Sequence, residues 1–410
     1  MKAVGIIAEL NPFHRGHKYL LDKVREDFSP DLLVVLTSGN FVQRGEPAIF
    51  DMGRRSEAAL KNGADMVLEL PPCFSTASAE GFALGAVKIL NDLGCTDLVF
   101  GSETGDIEIL IPVAEALSKE DEPYKKVLKA GLQQGLSFPA AREAAVLSLL
   151  SEKRGEDPLI LHNILQNPND ILGIEYLKAL KILGSSMNAG VVKRAVSSYH
   201  EDASGGNALY SAEAIRNLIF NGESLSELND DPATSYIPEA LKSHGAVNRD
   251  DLTDALLLAL ISKDLPERLK NAAVPEELSN RIHNSREYTG TFSGYIELLK
   301  RKNITYTAVS RHLLHLALDI TPFDPSAINY VRLLGFRENA VSAFGKLQKN
   351  SGLPVLSNSS DINNFLESGH DTELLLSHLR IDRSYELLRD KEKRREHPLP
   401  PEISRRIIKV

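Results

Sequence analysis

Cysteine is scarce in this chain: Cys73 and Cys95 are the only two in 410 residues, and no CxxC pair occurs. That leaves neither a disulfide framework nor a cysteine-built zinc site, and it fits a reducing compartment. Long apolar runs are missing as well. No stretch approaches the roughly 20 apolar residues that a membrane-spanning helix requires. The opening run AVGIIAEL reaches Asn11-Pro12 too soon for a secretory signal. A cytoplasmic protein with no membrane role is the expectation. Nor is there an excess of positive charge, since 47 Lys and Arg face 56 Asp and Glu for a formal net of -9. An acidic total argues against indiscriminate nucleic-acid binding while leaving room for a local basic surface. What remains is ordinary for a globular protein, 42% hydrophobic and 25% charged, enough to bury a full core. At this length two domains are the default.

The first half alternates strand-like and helix-like segments. AVGIIAEL, DLLVVLTSG, DMVLELP and TDLVFGSE read as buried strands; HKYLLDKVREDF, MGRRSEAALKNGA and SAEGFALGAVKILNDLG read as the helices between them. Continuous apolar strands alternating with helices predict an α/β fold, a doubly wound parallel sheet covered on both faces. Right-handed crossovers put the strand C-terminal ends on one edge, where such sheets bind ligands. Three polar, glycine-bearing loops fall on that edge: ELNPFHRGH, TSGNFVQRGEP and FGSETGD. From about 104 to 156 the chain turns helical and reads as an insertion. The α/β rhythm returns with the helix NDILGIEYLKALKILG and the strand NAGVVKRAV, and SAEAIRNLI follows as a helix with Ser211 as its N-cap. After Gly222 the character shifts. DALLLALISKDL, GYIELLKRKN, TAVSRHLLHLALDI and AINYVRLLGF read as amphipathic helices. The expected organisation is a catalytic α/β domain over 1–222 and a mainly helical domain over 223–410.

The first loop carries the clearest chemistry. His14-Arg15-Gly16-His17 stands directly after a strand, at the first turn of a helix. Free backbone N–H groups and the helix dipole make that turn an anion site. Histidines at i and i+3 project from one side of the helix, so both can donate to one phosphate. Gly16 lacks the Cβ that would hold a nucleotide off the backbone. In-line attack on an α-phosphate builds charge on its equatorial oxygens, and prepositioned donors stabilise that charge. A zinc reading of HxxH lacks a third ligand at recognisable spacing, so no metal site is predicted. Two surface histidines beside a packing glycine are the plain alternative.

Strand–NPFHRGH–helix resembles the HxGH signature of the nucleotidyltransferases of the α/β-phosphodiesterase superfamily, which includes class I aminoacyl-tRNA synthetases. SAEAIR is similar to their second signature. That likeness implies that Ser211 and Arg216 hold the β- and γ-phosphates, the arginine by a charge-assisted fork. VGIIAELNPFHRGHKY, SGNFVQRGEPAIFD, VLELP, FGSE and PNDILGIEYLKAL together resemble the bacterial tRNA(Met) cytidine acetate ligase family. YTAVSRHLLHLAL and RIHNSREY extend the likeness more weakly into the second half. Two residues depart from it: members more often have Tyr where Leu10 stands and Asn where Arg15 stands.

The resemblance implies an ATP-dependent ligase. Acetate and ATP would give acetyl-adenylate, and the acetyl group would pass to N4 of the wobble cytidine in elongator tRNA(Met). Carried over residue by residue, it implies catalytic roles for His14 and His17. It implies ATP contacts from Ile7, Ala8, Glu9, Leu10, Asn11, Pro12, Phe13 and Gly16 at the first strand exit. Gly101, Asn169, Arg194, Ala195, Ser211 and Arg216 would complete the nucleotide site, with Mg2+ expected alongside ATP. Asn169 aligns ambiguously by one position with Asp170, and as a residue it could equally cap the helix it precedes. Arg44 reads either as part of a lid touching phosphate or RNA, or as a surface residue paired with Glu46. Lys300, Arg301, Lys302 and Arg311, near Tyr306, make a basic and aromatic cluster suited to tRNA; solvated cations at a helix end are the alternative. Two other functions stay open: a small-molecule adenylyltransferase of cofactor synthesis, and a non-catalytic RNA-binding protein.

Overall fold

The computed structural model describes residues 1–119, 121–136, 138–154, 157–194, 210–301 and 304–410. Among these, the strands are β1 Ala3–Ala8, β2 Leu32–Ser38, β3 Phe41–Val42, β4 Glu46–Pro47, β5 Met66–Leu70, β6 Asp97–Ser102, β7 Asn188–Lys193, β8 Val331–Phe336, β9 Val355–Leu356 and β10 Ile408–Lys409. Eight of them form one sheet in the order β10-β8-β5-β2-β1-β6-β7, with β9 paired to β8. From β5 to β7 all neighbours are parallel. The chain builds outward from β1 to β2 and β5, then crosses back to β6 and β7 on the other side. That reversal opens a crevice between the C-terminal ends of β1 and β6, the usual ligand position in open α/β sheets.

Alternate residues of each strand serve opposite faces, as the pleat requires. Ile7, Val34, Leu36 and Leu68 pack on one side with Phe82, Ala86 and Leu90 of the helix Ala79–Leu93. Val4, Ile6, Leu33, Val35 and Val67 pack on the other with Leu21 and Val24 of the helix Arg15–Phe28 and Ala59 of the helix Met52–Lys61. Covering both faces is what makes these strands read as continuous apolar runs. Three helices, Ile107–Lys119, Glu122–Gln133 and Phe138–Arg154, occupy the stretch after β6.

Two expectations are corrected. AINYVRLLGF is not helical: its Val331–Phe336 is β8, antiparallel to β5 with Leu68 opposite Leu333. Val331, Arg332, Leu333 and Leu334 are all buried, and a short run covered on both sides carries no period that separates strand from helix. The sheet is therefore mixed rather than purely parallel. Within GNFVQRGEP, β3 and β4 pair as a small antiparallel hairpin, an element the loop reading did not contain. Helices dominate after Gly222, yet the core does not stop there. Leu256, Leu313, Tyr330 and Tyr385 belong to the same apolar cluster as Leu36 and Leu90.

An ionic joint ties β8 and the C-terminal helices to the sheet. Arg332 is buried 2.9 Å from Glu69 on β5, 3.3 Å from Asp382 and 3.2 Å from Glu402. His378, one turn before Asp382 on the helix Glu373–Leu388, places Nε2 3.0 Å from Asp382 and 3.3 Å from Glu69. Its Nδ1 lies 2.8 Å from the Tyr330 hydroxyl. Burial alone would lower the His378 pKa, but Glu69 and Asp382 outweigh it and raise the ring to about 9. His378 is thus a cation, its Nδ1 hydrogen-bonded to Tyr330 and its Nε2 held beside two carboxylates. Asp382 Oδ1 also accepts from Asn40 N at 3.4 Å, so the joint reaches the loop that carries the β3–β4 hairpin.

Because the folded pKa of His378 lies above its ordinary 6.5, its contribution is full below that pH and is lost as pH rises through about 9. The melting temperature, followed by calorimetry, should fall between pH 6.5 and 9. His378→Asn should melt lower at neutral pH and lack that slope.

Candidate active site

The site is built from the first helical turn outward. His14 is the N-cap of the helix Arg15–Phe28, with extended backbone. Its Nδ1 accepts from Gly16 N at 2.9 Å, and His17 Nδ1 accepts from His14 N at 3.3 Å. Two imidazoles thus make a reciprocal capping box. With each Nδ1 accepting, the proton of each neutral ring sits on Nε2. The ring centroids are 4.1 Å apart, so two N–H donors stand side by side. Burial drives the His14 pKa down to about 3, with Arg194 and Arg216 adding to the effect; burial, His14 and Arg194 push His17 well below its ordinary value. At neutral pH both rings are uncharged donors. Gly16 has a different reason from the one expected. A Cβ there would come within 2.7 Å of the His14 ring, so the glycine makes room for the histidine, and Gly16 does not line the cleft.

A cleft of about 310 Å³ opens at this turn. It brings together Ile7, Ala8, Glu9, Leu10, Asn11, His14 and His17 from the first strand exit, and Arg44 from the hairpin. Gly101 enters from β6, Asn169 from the helix Pro168–Ile182, and Arg194 from just past β7. Ser211 and Arg216 complete it from the helix Ala212–Phe220. Ser211 caps that helix, accepting from Ala214 N at 3.2 Å. Arg216 donates through Nη1 to the Asn11 carbonyl at 2.6 Å. Leu10 is buried in the left-handed region at φ 53°, a conformation that costs energy for a residue with a Cβ. Pro12 and Phe13 lie behind the cleft, where Phe13 stacks on the His17 ring at 5.5 Å. Ala195 and Lys302 fall outside the described residues. Lys300, Arg301 and Arg311 do not line the cleft.

The Asn169 ambiguity has a structural answer. Asn167, not Asn169, stands at the helix N-cap. The Asn169 amide donates to Glu103, and its carbonyl accepts from Arg194 Nη1 at 3.3 Å. Asp170 is fully buried and accepts from Ser102 and Thr104, holding the turn after β6. Asn169 faces the cleft; Asp170 braces it.

Arg44 does not pair with Glu46. It lies 3.3 Å from Glu213, while Glu46 bonds Arg249. The hairpin tip rests on the helix Tyr306–Leu318. Gly45, at φ 76°, would bring a Cβ within 2.4 Å of Arg311 N, and Ser310 Oγ donates to Gly45 O at 2.8 Å. Arg249 stacks over the Tyr306 ring at 5.1 Å, and Lys300 Nζ lies 6.0 Å from the same centroid. One hairpin therefore touches both the cleft and the basic cluster.

Sequence reasoning missed Gln43, Tyr176, Phe82 and Phe100, which also line the cleft, and it missed Arg55. That arginine is fully buried. Nε donates to Phe50 O at 2.9 Å, Nη1 to Glu9 O at 2.7 Å and Ser38 O at 3.1 Å, and Nη2 to Gly39 O. It gathers carbonyls from the exits of β1 and β2 and from Phe50, giving buried backbone acceptors a partner. A signal existed: Met52, Arg55, Ala58 and Ala59 share one helical face, so this arginine stands where an apolar residue is expected.

Uncharged imidazole donors at a helix start, met by arginines from later elements at the switch point of a parallel sheet, define an HxGH nucleotidyltransferase. The chain matches the family model HIGH Nucleotidyl Transferase over residues 1–398. It is 38% identical over 378 residues to the tRNA(Met) cytidine acetate ligase of Acetivibrio thermocellus, covering 88% of this chain and 89% of that one. To the protein of the same name from Thermotoga maritima it is 36% identical, over 91% and 92% of the two chains. A crystal structure of Thermotoga maritima TmcAL bound with alpha-thio ATP matches all of both chains with a TM-score of 0.86 at 32% identity. The chain belongs to the tRNA(Met) cytidine acetate ligase family, enzymes of the ligase class. Among the described residues no helix is long and apolar enough to cross a membrane.

Arg55→Lys should expose what the clamp contributes. Lysine offers fewer donors and no planar fork, so buried carbonyls at the cleft floor lose their partners. The expected loss is roughly 2–4 kcal/mol, read as a lower urea midpoint with an unchanged slope.

Proposed function

We propose that this protein condenses acetate with ATP to acetyl-adenylate and passes the acetyl group to N4 of the wobble cytidine of elongator tRNA(Met), giving N4-acetylcytidine. The observation that carries this is the convergence of both signatures, His14 with His17 and Ser211 with Arg216, on one cleft in a chain of this family. In the first step an acetate oxygen attacks the α-phosphorus and pyrophosphate leaves. The two Nε2–H donors meet the charge that grows on the α-phosphate, and Arg216 and Ser211 receive the β- and γ-phosphates. Mg2+ is expected to arrive with ATP, held chiefly by phosphate oxygens and water.

Neutral donors suit this work. They bind phosphate without contributing a proton that would have to leave, and their depressed pKa keeps them uncharged across physiological pH. An acyl-adenylate hydrolyses in water, so the cleft must hold it away from solvent until the amine arrives. An anticodon cytidine is already unpaired and enters such a pocket at modest cost. The region from 223 onward would hold the rest of the tRNA, with Lys300 and Arg301 on phosphates and Tyr306 available for stacking. Arg311, beneath the hairpin tip, and Arg44, above the cleft, would meet RNA only near the reacting nucleotide.

Incubation with ATP, radiolabelled acetate and elongator tRNA(Met) should place label in N4-acetylcytidine after digestion to nucleosides. His14→Ala and His17→Ala should each slow labelling roughly 10²–10³-fold with tRNA binding intact. Label absent from cytidine would remove the reading. Pyrophosphate release that needs a nucleotide-like acceptor rather than acetate would point to a small-molecule adenylyltransferase. The double change Lys300→Ala with Arg301→Ala should raise KM for tRNA and reduce the slope of log affinity against log salt by about one to two. Acetate-dependent pyrophosphate exchange should stay as it was.

A further inference from the structure

We propose that Glu9 is the general base of the second step, taking the proton that the acceptor amine sheds as it attacks the acetyl carbon. This rests on the acetyl-adenylate reading above. A carboxylate in a cleft built for a triphosphate calls for a reason, because it repels the very ligand the cleft attracts. Glu9 is held firmly: Oε1 accepts from Gln43 N at 2.6 Å. Oε2 has no hydrogen-bond or ion-pair partner among the described residues, and Glu9 lines the cleft. Its charged surroundings are Arg44 and Glu46 from the hairpin and Arg216 from the helix Ala212–Phe220, with the Tyr176 hydroxyl close by. Both arginines are engaged elsewhere, Arg44 with Glu213 and Arg216 with the Asn11 carbonyl. One oxygen is therefore positioned and unused.

The other titratable groups of the cleft are unsuited to the task. His14 and His17 carry their protons on Nε2 and use Nδ1 to accept backbone N–H groups. Burial and the Glu9 charge push the Tyr176 phenol up, so it stays protonated. Glu213 is paired with Arg44 on a side chain 59% exposed. Glu9 differs from all of these: burial holds its pKa above the ordinary carboxyl value, which makes the ionised form a stronger base.

The chemistry needs such a group. The N4 lone pair of cytosine is delocalised into the ring, so the amine is a weak nucleophile and must lose a proton as it reacts. The N4–C bond forms, the N4–H bond breaks with its proton passing to Glu9 Oε2, and the acyl C–O bond breaks with its electron pair leaving on AMP. Atoms and charge balance without another reactant.

Glu9→Gln tests the role, because its amide oxygen can still accept from Gln43 N and keep the hairpin in place. Two half-reactions are measured separately: acetate-dependent ATP–pyrophosphate exchange, and single-turnover acetyl transfer to tRNA. Exchange in Glu9→Gln should fall far less than transfer, and an unfolding midpoint in urea equal to that of wild type certifies a folded cleft. Transfer should fall roughly 10²–10⁴-fold, and the wild-type rise of transfer rate with pH at the acid end should disappear. His14→Ala should show the opposite pattern, losing exchange first. Exchange falling as far as transfer in Glu9→Gln would assign the carboxylate to the ATP step and overturn the proposal, as would unchanged transfer. Wild type without acetate-dependent exchange would remove the acyl-adenylate reading itself, and this role with it.

Discussion

The hydrogen bond from Arg216 to the carbonyl of Asn11 joins residues 205 positions apart, and the cleft depends on it. Arg216 lines the same cleft as His14 and Glu9, and its charge acts on both. Only a reversal of strand order lets a helix so late in the chain return to the exit of the first strand. The parallel frame supplies that reversal between β1 and β6. Arg55 then fixes the floor by collecting carbonyls from Glu9, Ser38, Gly39 and Phe50. Two guanidiniums, Arg216 and Arg55, thus hold the backbone carbonyls around the exit of the first strand.

The hairpin gives this frame a second function. Its Gln43 holds Glu9, its Arg44 meets Glu213, its Gly45 rests on Ser310, and its Glu46 reaches Arg249. The basic and aromatic cluster at Tyr306 is therefore one ion pair away from the nucleotide cleft. An RNA seated on that cluster would press on an element that also holds the carboxylate. The physical link is a short chain of named contacts rather than a path inferred from proximity.

Much of this was legible in residues. Apolar strands with no alternation announced a sheet covered on both faces, and helices at Ala79–Leu93 and Pro168–Ile182 do cover one of them. The placement of His14 and His17 at a helix start followed from their position after AVGIIAEL, and the Ser211 cap from its residue type. What was hidden depended on partners far away in sequence. VRLLGF looked helical because a six-residue buried run has no readable period, and only β5 beside it makes it a strand. The alternative that paired Arg44 with Glu46 rested on their nearness in the chain, whereas the fold pairs Arg44 with Glu213. Gly16 was read as space for a ligand, when its nearest neighbour is the His14 ring. The role of Arg55 rests on four carbonyls that no sequence displays.

A structure of the protein with alpha-thio ATP tests the central claim most directly. Nε2 of both His14 and His17 should lie within about 3.2 Å of α-phosphate oxygens, with the Arg216 guanidinium on the β- or γ-phosphate and Glu9 Oε2 touching none of them. A triphosphate lodged outside this cleft, or imidazoles turned away from the α-phosphate, would contradict the account.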